Sequence, residues 1–182
     1  MTNKKDEIVA TAIRLFSQHG VFATGVDRLM AESGISKRTL YKYFPTKEHL
    51  IVEVVKQYHH LVEETWGKVL NTALSGKEKI LGIFEMALSN FENASFNGCM
   101  AINVMAEYHE KNKDIENACS DFKRWELSLL EDLTKQAGQK NYKEIAFQLF
   151  VLLEGIFSTA KLQQQKPPRH LLALAEELIE KK

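Results

Sequence analysis

Residues 24–50 read TGVDRLMAESGISKRTLYKYFPTKEHL, and the way this stretch parses decides the fold. Val26–Ser33 predicts a short helix with Val26, Leu29 and Met30 on its apolar side. It stops at Gly34, because glycine enters the left-handed backbone conformation without a Cβ penalty and suits the residue just past a helix end. Ile35 then turns an apolar anchor inward, and Ser36 has the side chain to cap a second helix, Lys37–Tyr43. That helix ends before Pro45, since the residue preceding a proline disfavours the α conformation. Two helices joined across Gly34–Ser36 make a helix-turn-helix.

The second helix gives Leu40, with Phe44 beyond it, to a core and leaves Lys37, Arg38, Thr39, Tyr41, Lys42 and Tyr43 outside. From Ser36 to Lys47 there are four basic residues and no acidic one. A solvated face is the ordinary meaning of such a run, but here it coincides with the turn chemistry. Reading a major groove requires both, because phosphates need cations and base edges need donors and acceptors. On geometry, Thr24, the Gly25 N–H, Ser36, Tyr41, Tyr43 and Lys47 are assigned to phosphates. Lys37, Arg38, Thr39 and Lys42 are assigned to bases, and Arg28 to either.

Beyond this stretch the composition is that of a folded protein: 182 residues, 45% hydrophobic. The formal net charge is zero, yet residues 1–50 carry eight Lys/Arg against five Asp/Glu, leaving sixteen against nineteen of the 24 of each sign for the rest. A basic head on a mildly acidic body follows. No apolar run approaches the roughly 20 residues of a bilayer span, and no small-residue cleavage site follows the N-terminus, so a soluble cytoplasmic protein without membrane contact is expected. Cys99 and Cys119 are too few for a disulfide framework and lack metal-ligand spacing, which predicts reduced, buried thiols.

No stretch alternates with a two-residue period, and Pro45, Pro167 and Pro168 all fall at breaks in the apolar pattern. The expected class is all-α: a three-helix head and a helical bundle body, about nine helices in all, divided as residues 1–47 and 48–182. The first helix, Lys4–His19, presents Ile8, Ala12, Leu15 and Phe16, and Gly20 ends it. Lys4 and Lys5 are equally compatible with a phosphate contact or a solvated terminus. The head core is expected to be Phe16, Val26, Leu29, Ile35, Leu40 and Phe44. A fourth helix, capped by Thr46 and running to about Leu74, carries the stripe Leu50, Val54, Tyr58, Leu61, Thr65 and Val69.

His59 with Glu63 and His60 with Glu64 have the spacing of paired ligands, but without a third ligand or an HExxH pattern a solvent-facing helix is the better reading, and no metal is expected. Further helices are expected over Lys77–Ala94, around Cys99–Glu110, over Asp114–Ala137 and over Tyr142–Gln165. The last of these, with IAFQLFVLLEGIFSTA, is apolar around most of its circumference and must be covered on all sides. After Lys166–Pro168 a final helix offers Leu171, Leu174 and Leu178. Phe147, Val151, Glu154 and Gly155 join them in an expected two-fold interface between copies of the chain, with burial inside one chain as the alternative.

Over roughly the first fifty residues the chain resembles the tetracycline-repressor (TetR) family of bacterial transcriptional regulators. The resemblance is carried by Phe22, Thr24, Gly25, Val26, the turn Gly34-Ile35-Ser36, Leu40-Tyr41-Lys42-Tyr43-Phe44 and Lys47-Glu48-His49-Leu50. Gly25 stands where many members carry a second hydroxyl residue, and Met30 where an alanine is common. The resemblance implies a homodimeric regulator, most often a repressor, whose two heads read a near-palindromic DNA operator and whose body takes a small ligand. Phe84, Leu88, Phe91, Met100, Met105, Tyr108, Phe122, Trp125 and Phe150 read on their own as core or as a cavity lining. The resemblance favours a pocket for a small apolar or amphipathic molecule.

Competing classes leave weaker marks. A thiol sensor on the same scaffold would use Cys99 or Cys119, with Lys123 and Arg124 near Cys119 as its cationic setting. An enzyme is disfavoured: no nucleophile grouping, no paired carboxylates, no phosphate-binding glycine loop and no cofactor signature occur. A helical interaction module leaves the basic face unexplained.

Overall fold

The computed structural model of the chain describes residues 3–92, 96–163 and 170–180. Among them every regular element is helical: α1 Lys4–His19, α2 Val26–Ser33, α3 Lys37–Tyr43, α4 Lys47–Leu70, α5 Gly76–Ser89, α6 Met100–Tyr108, α7 Lys113–Gln136, α8 Tyr142–Gln163 and α9 His170–Glu180, with one 3₁₀ turn at Asn90–Glu92. The expected fifth-helix end at Ala94, the eighth-helix end at Gln165 and the break at Lys166–Pro168 lie outside the described residues. Close contacts divide the chain into two compact units, residues to Val62 with Met100–Phe122, and Glu63–Cys99 with residues from Lys123. α4 and α7 are each divided between the two units.

In the first unit, α1 starts on Asn3, whose side chain accepts from the Lys5 N–H, and ends at Gly20. It buries Ile8, Val9, Ala12, Leu15 and Phe16. α2 contributes only Leu29 as a fully buried residue, so Val26 and Met30 are half-buried rather than core. Gly34 adopts the left-handed conformation at φ 64°, and its N–H bonds to the Met30 carbonyl, as the turn requires. Ile35, Leu40 and Phe44 close the head core, joined by Val21.

The expected stripe along α4 is corrected. Leu50, Ile51, Val54 and Val55 are buried, whereas Leu61 is 42% exposed, Thr65 is exposed and Trp66 takes the buried place. A helix that serves two units in succession turns a different face inward in each half.

In the second unit, α5 packs on α8 and α9, and α8 on α9. Ser75 and Glu78 form a full capping box at the α5 start. Gly76 lets α5 cross α7 closely, since a Cβ there would lie 2.3 Å from the Leu133 carbonyl oxygen and 2.7 Å from the Ala137 nitrogen. Trp66 stacks on Trp125, 5.5 Å between ring centres. Lys77 bridges to Glu176 at 2.7 Å and Glu180 at 2.5 Å, fastening α9.

Inside this unit Lys123 is held between Glu126 and Glu154, the latter at 2.7 Å. Burial opposes the Lys123 charge, but Cys99 and the two carboxylates prevail and raise its pKa. Two carboxylates share one ammonium, so the more deeply buried, Glu126, is pushed up to about 7 by burial against the pull of Lys123.

α8 buries Ile145, Ala146, Leu149, Leu153, Ile156 and Phe157 along one side. Its segment Tyr142–Leu162 is, by length and composition, apolar enough to cross a membrane, which corrects the expectation that no run approaches that length. Within that segment lies Glu154, held by Lys123, and one side of the helix is packed in this unit.

Gly76→Ala should lower stability by roughly 1–3 kcal/mol, as overpacking at a helix crossing does, read as a fall in the urea midpoint at unchanged slope. The raised Glu126 pKa makes the native state bind a proton more tightly than the unfolded chain between about pH 4.3 and 7. Stability should therefore fall as pH rises across that window, and Glu126→Gln should remove that component in denaturation series run from pH 5 to 8.

Candidate nucleic-acid interface

α3 is built to be presented. Ser36 caps it, its Oγ accepting from the Thr39 N–H at 3.1 Å and lying 2.9 Å from the Thr39 hydroxyl, so both side chains are fixed by the cap. Leu40 anchors the inner face, which leaves Ser36, Lys37, Arg38, Tyr41 and Lys42 exposed and Thr39 and Tyr43 half-buried. Lys42 lies over the Tyr43 ring at 5.8 Å. Beside them Gly25 precedes α2 with no side-chain cap and open space around it. Arg28 is exposed, 2.8 Å from the ring nitrogen of His19. Apart from Thr24 and Lys47, the residues of the expected set are thus exposed or half-buried within the first unit.

Two members of that set are corrected. Thr24 is wholly buried, and its hydroxyl donates to the Gly20 carbonyl at 2.7 Å, with the Leu15 carbonyl 3.4 Å away. It closes the corner between α1 and α2 and is out of reach of any phosphate. Lys47 is turned inward: its ammonium donates to the Val21 carbonyl at 2.6 Å, and burial lowers its pKa against the attraction of Glu107 and Glu48. Both carry polar groups beside the motif, but the α1–α2 corner consumes them.

That corner also uses residues the sequence reading passed over. The Glu107 carboxylate accepts from the Val21 N–H at 2.9 Å and the Phe22 N–H at 2.6 Å. The Phe22 ring stacks on Tyr108, 4.9 Å between centres and 9° from parallel, with the Lys111 ammonium 4.7 Å from its centroid. No periodic signal marks Glu107, since its partners lie 85 and 86 residues away.

The residues expected to line a ligand pocket are distributed over both units. Met100, Met105, Tyr108 and Phe122 belong to the first; Phe84, Leu88, Phe91, Trp125 and Phe150 belong to the second. Phe84, Met100 and Phe122 are fully buried core, and Tyr108 is engaged with Phe22. A cleft of about 450 Å³ in the first unit is lined instead by Lys5, Tyr43, Pro45, His49, Asp114 and Asp121, among others, and by none of the nine.

Of the expected interface residues, Phe147 is 56%, Val151 54% and Leu174 41% exposed. Gly155 is exposed with open space around it, and Leu171 and Leu178 are half-buried. Leu162, 84% exposed, continues the Phe147–Val151–Gly155 line and was missed. Glu154 is half-buried, its carboxylate accepting from Lys123 at 2.7 Å. Cys99 and Cys119 are buried and not disulfide-bonded.

The profile of the bacterial regulatory proteins of the tetR family matches residues 8–54. An uncharacterized HTH-type transcriptional regulator of Bacillus subtilis, YxaF, is 27% identical over 97% of this chain and 93% of its own. The crystal structure of SCO4454, a TetR-family transcriptional regulator from Streptomyces coelicolor, superposes with a TM-score of 0.90 at 21% identity, covering 97% and 94% of the two chains. A CifR cysteine mutant solved with 26-bp double-strand operator DNA gives a TM-score of 0.80 at 21% identity over 97% and 95%. At those identities the two structures establish the shared fold.

Thr24→Val keeps the shape but leaves the Gly20 carbonyl without its donor. It should cost about 1–3 kcal/mol in chemical denaturation, the penalty for an unsatisfied buried acceptor. If Thr24 acted on a phosphate instead, stability would be unchanged.

Proposed function

Since the chain belongs to the TetR family of bacterial regulatory proteins, we propose that it acts as a ligand-responsive repressor, a homodimer whose two heads read the half-sites of a near-palindromic operator. The observation that carries the DNA reading is the α3 surface. Lys37, Arg38, Tyr41 and Lys42 stand exposed on a helix whose cap and inner anchor are already satisfied, so their donors and charge are available to a partner. Residues 1–47 are its DNA-binding part, and the rest carries ligand response and pairing. Base edges fall to Lys37, Arg38, Thr39 and Lys42; phosphates fall to Gly25, Ser36, Tyr41 and Tyr43, with Arg28 able to serve either.

Pairing is supported by the exposed apolar line of α8 together with Leu174 on α9. A self-complementary patch of this kind is what a two-fold interface requires. It sets two heads about 34 Å apart or a multiple of it, to face successive major grooves. A small apolar or amphipathic ligand in the body acts only through a difference in affinity for the two head arrangements. The chain is read as a cytoplasmic regulator rather than an enzyme.

A second reading is a thiol sensor on the same scaffold, with Cys99, which lies in the same unit as the Lys123 ammonium, as the thiol of an electrophile- or oxidant-sensing variant of the same regulator. The burial of Cys99, 7% exposed, works against it.

Arg38→Ala should flatten discrimination among operator variants at one base pair by about 1–3 kcal/mol in competition binding, whereas Gly25→Pro, which removes the N–H, should weaken all sequences alike. Lys47→Ala should leave the salt slope of binding unchanged, because its ammonium is committed to Val21; a slope reduced by about one unit would return Lys47 to the phosphates. Alkylation kinetics on the native protein separate the two readings of Cys99: labelling as slow as that of Cys119 ends the thiol proposal.

A further inference from the structure

The loop between α1 and α2, closed from within by the Thr24 hydroxyl, is also held by side chains from outside the three-helix head. The Glu107 carboxylate, on α6, takes the Val21 and Phe22 N–H groups at 2.9 and 2.6 Å. Lys47, at the start of α4, takes the Val21 carbonyl at 2.6 Å. The Phe22 ring, 55% exposed, lies against Tyr108 on one side and the Lys111 ammonium. Lys111 is itself fixed, donating to the Glu107 carbonyl at 2.7 Å. Gly20 leaves the seat open: a Cβ there would stand 2.9 Å from a Glu107 oxygen. Two consecutive residues are therefore gripped at two N–H groups, one C=O and one ring.

A carboxylate accepting two backbone N–H bonds is a strong, directional tie, because the acceptor is charged and each of its oxygens takes one N–H. The loop it ties leads directly to Gly25 and the open start of α2. The orientation of α2, and of α3 packed on it, relative to α6 thus hangs on Glu107 more than on any other residue of α6 described above. We propose that Glu107 is a positioning residue for DNA recognition: it fixes the angle of the head against α6 and so sets which half-site spacing the protein accepts. This rests on the two-headed operator reading above. Glu107 touches no DNA itself; it acts through Val21 and Phe22.

The test uses the full-length chain and DNA selected from a random pool by the wild type, rebuilt as a series with the central spacer lengthened or shortened by one and two base pairs, and as a single half-site. Glu107→Gln keeps size and one acceptor but sets an amide NH₂ against the second N–H. Phe22→Leu loosens the same grip from the head side without touching α6. Both variants should lose spacing discrimination by about tenfold, the equivalent of one charge-assisted hydrogen bond, while half-site affinity stays within about twofold of wild type. Unchanged spacing discrimination in both variants overturns the proposal, and so does a parallel loss of half-site binding and thermal stability, which marks Glu107 as a fold residue only. Failure of the wild type to select any DNA would instead overturn the operator reading.

Discussion

A helix that ends against another helix must hand its last backbone groups to some partner, and the corner between α1 and α2 is where this chain meets that requirement. Gly20 breaks α1 at φ 82°, exposing carbonyls and N–H groups that neither helix can satisfy. The Thr24 hydroxyl, the Lys47 ammonium and the Glu107 carboxylate supply the missing partners. The placement of α2 beside α1 follows from that closure. It explains why polar residues close to the basic face are not part of it.

The helix-turn-helix was legible because its signals are local. A glycine at a helix end, a serine three residues before the N–H it caps and a proline past the last turn act within a few residues. The capping box at Ser75 and Glu78 is equally local and was written in plain view. What the sequence did not disclose is non-local. Glu107 meets its partners across more than eighty residues, and the inward turn of Lys47 depends on a carbonyl 26 residues earlier. The α4 stripe failed for a related reason, since a single periodic face describes a helix with one neighbour, while Leu50 and Trp66 serve different units.

Charge is likewise distributed by purpose. The α3 cations stand exposed with no acidic residue between Ser36 and Lys47. The ammonium groups of Lys47 and Lys123 are drawn inward, one to a carbonyl and the other between carboxylates. A formal net charge of zero therefore conceals a division between charge that faces outward and charge that holds the fold together.

The apolar line from Phe147 through Val151 to Leu162 bears on quantity as well as shape. On the proposed two-fold arrangement, covering that line couples folding to self-association, so the stability of each subunit rises with the amount of protein present. The supply of paired heads then follows the square of the monomer concentration when monomers predominate. A modest change in synthesis or dilution at cell division would be felt at the operator as a much steeper one, before any ligand arrives.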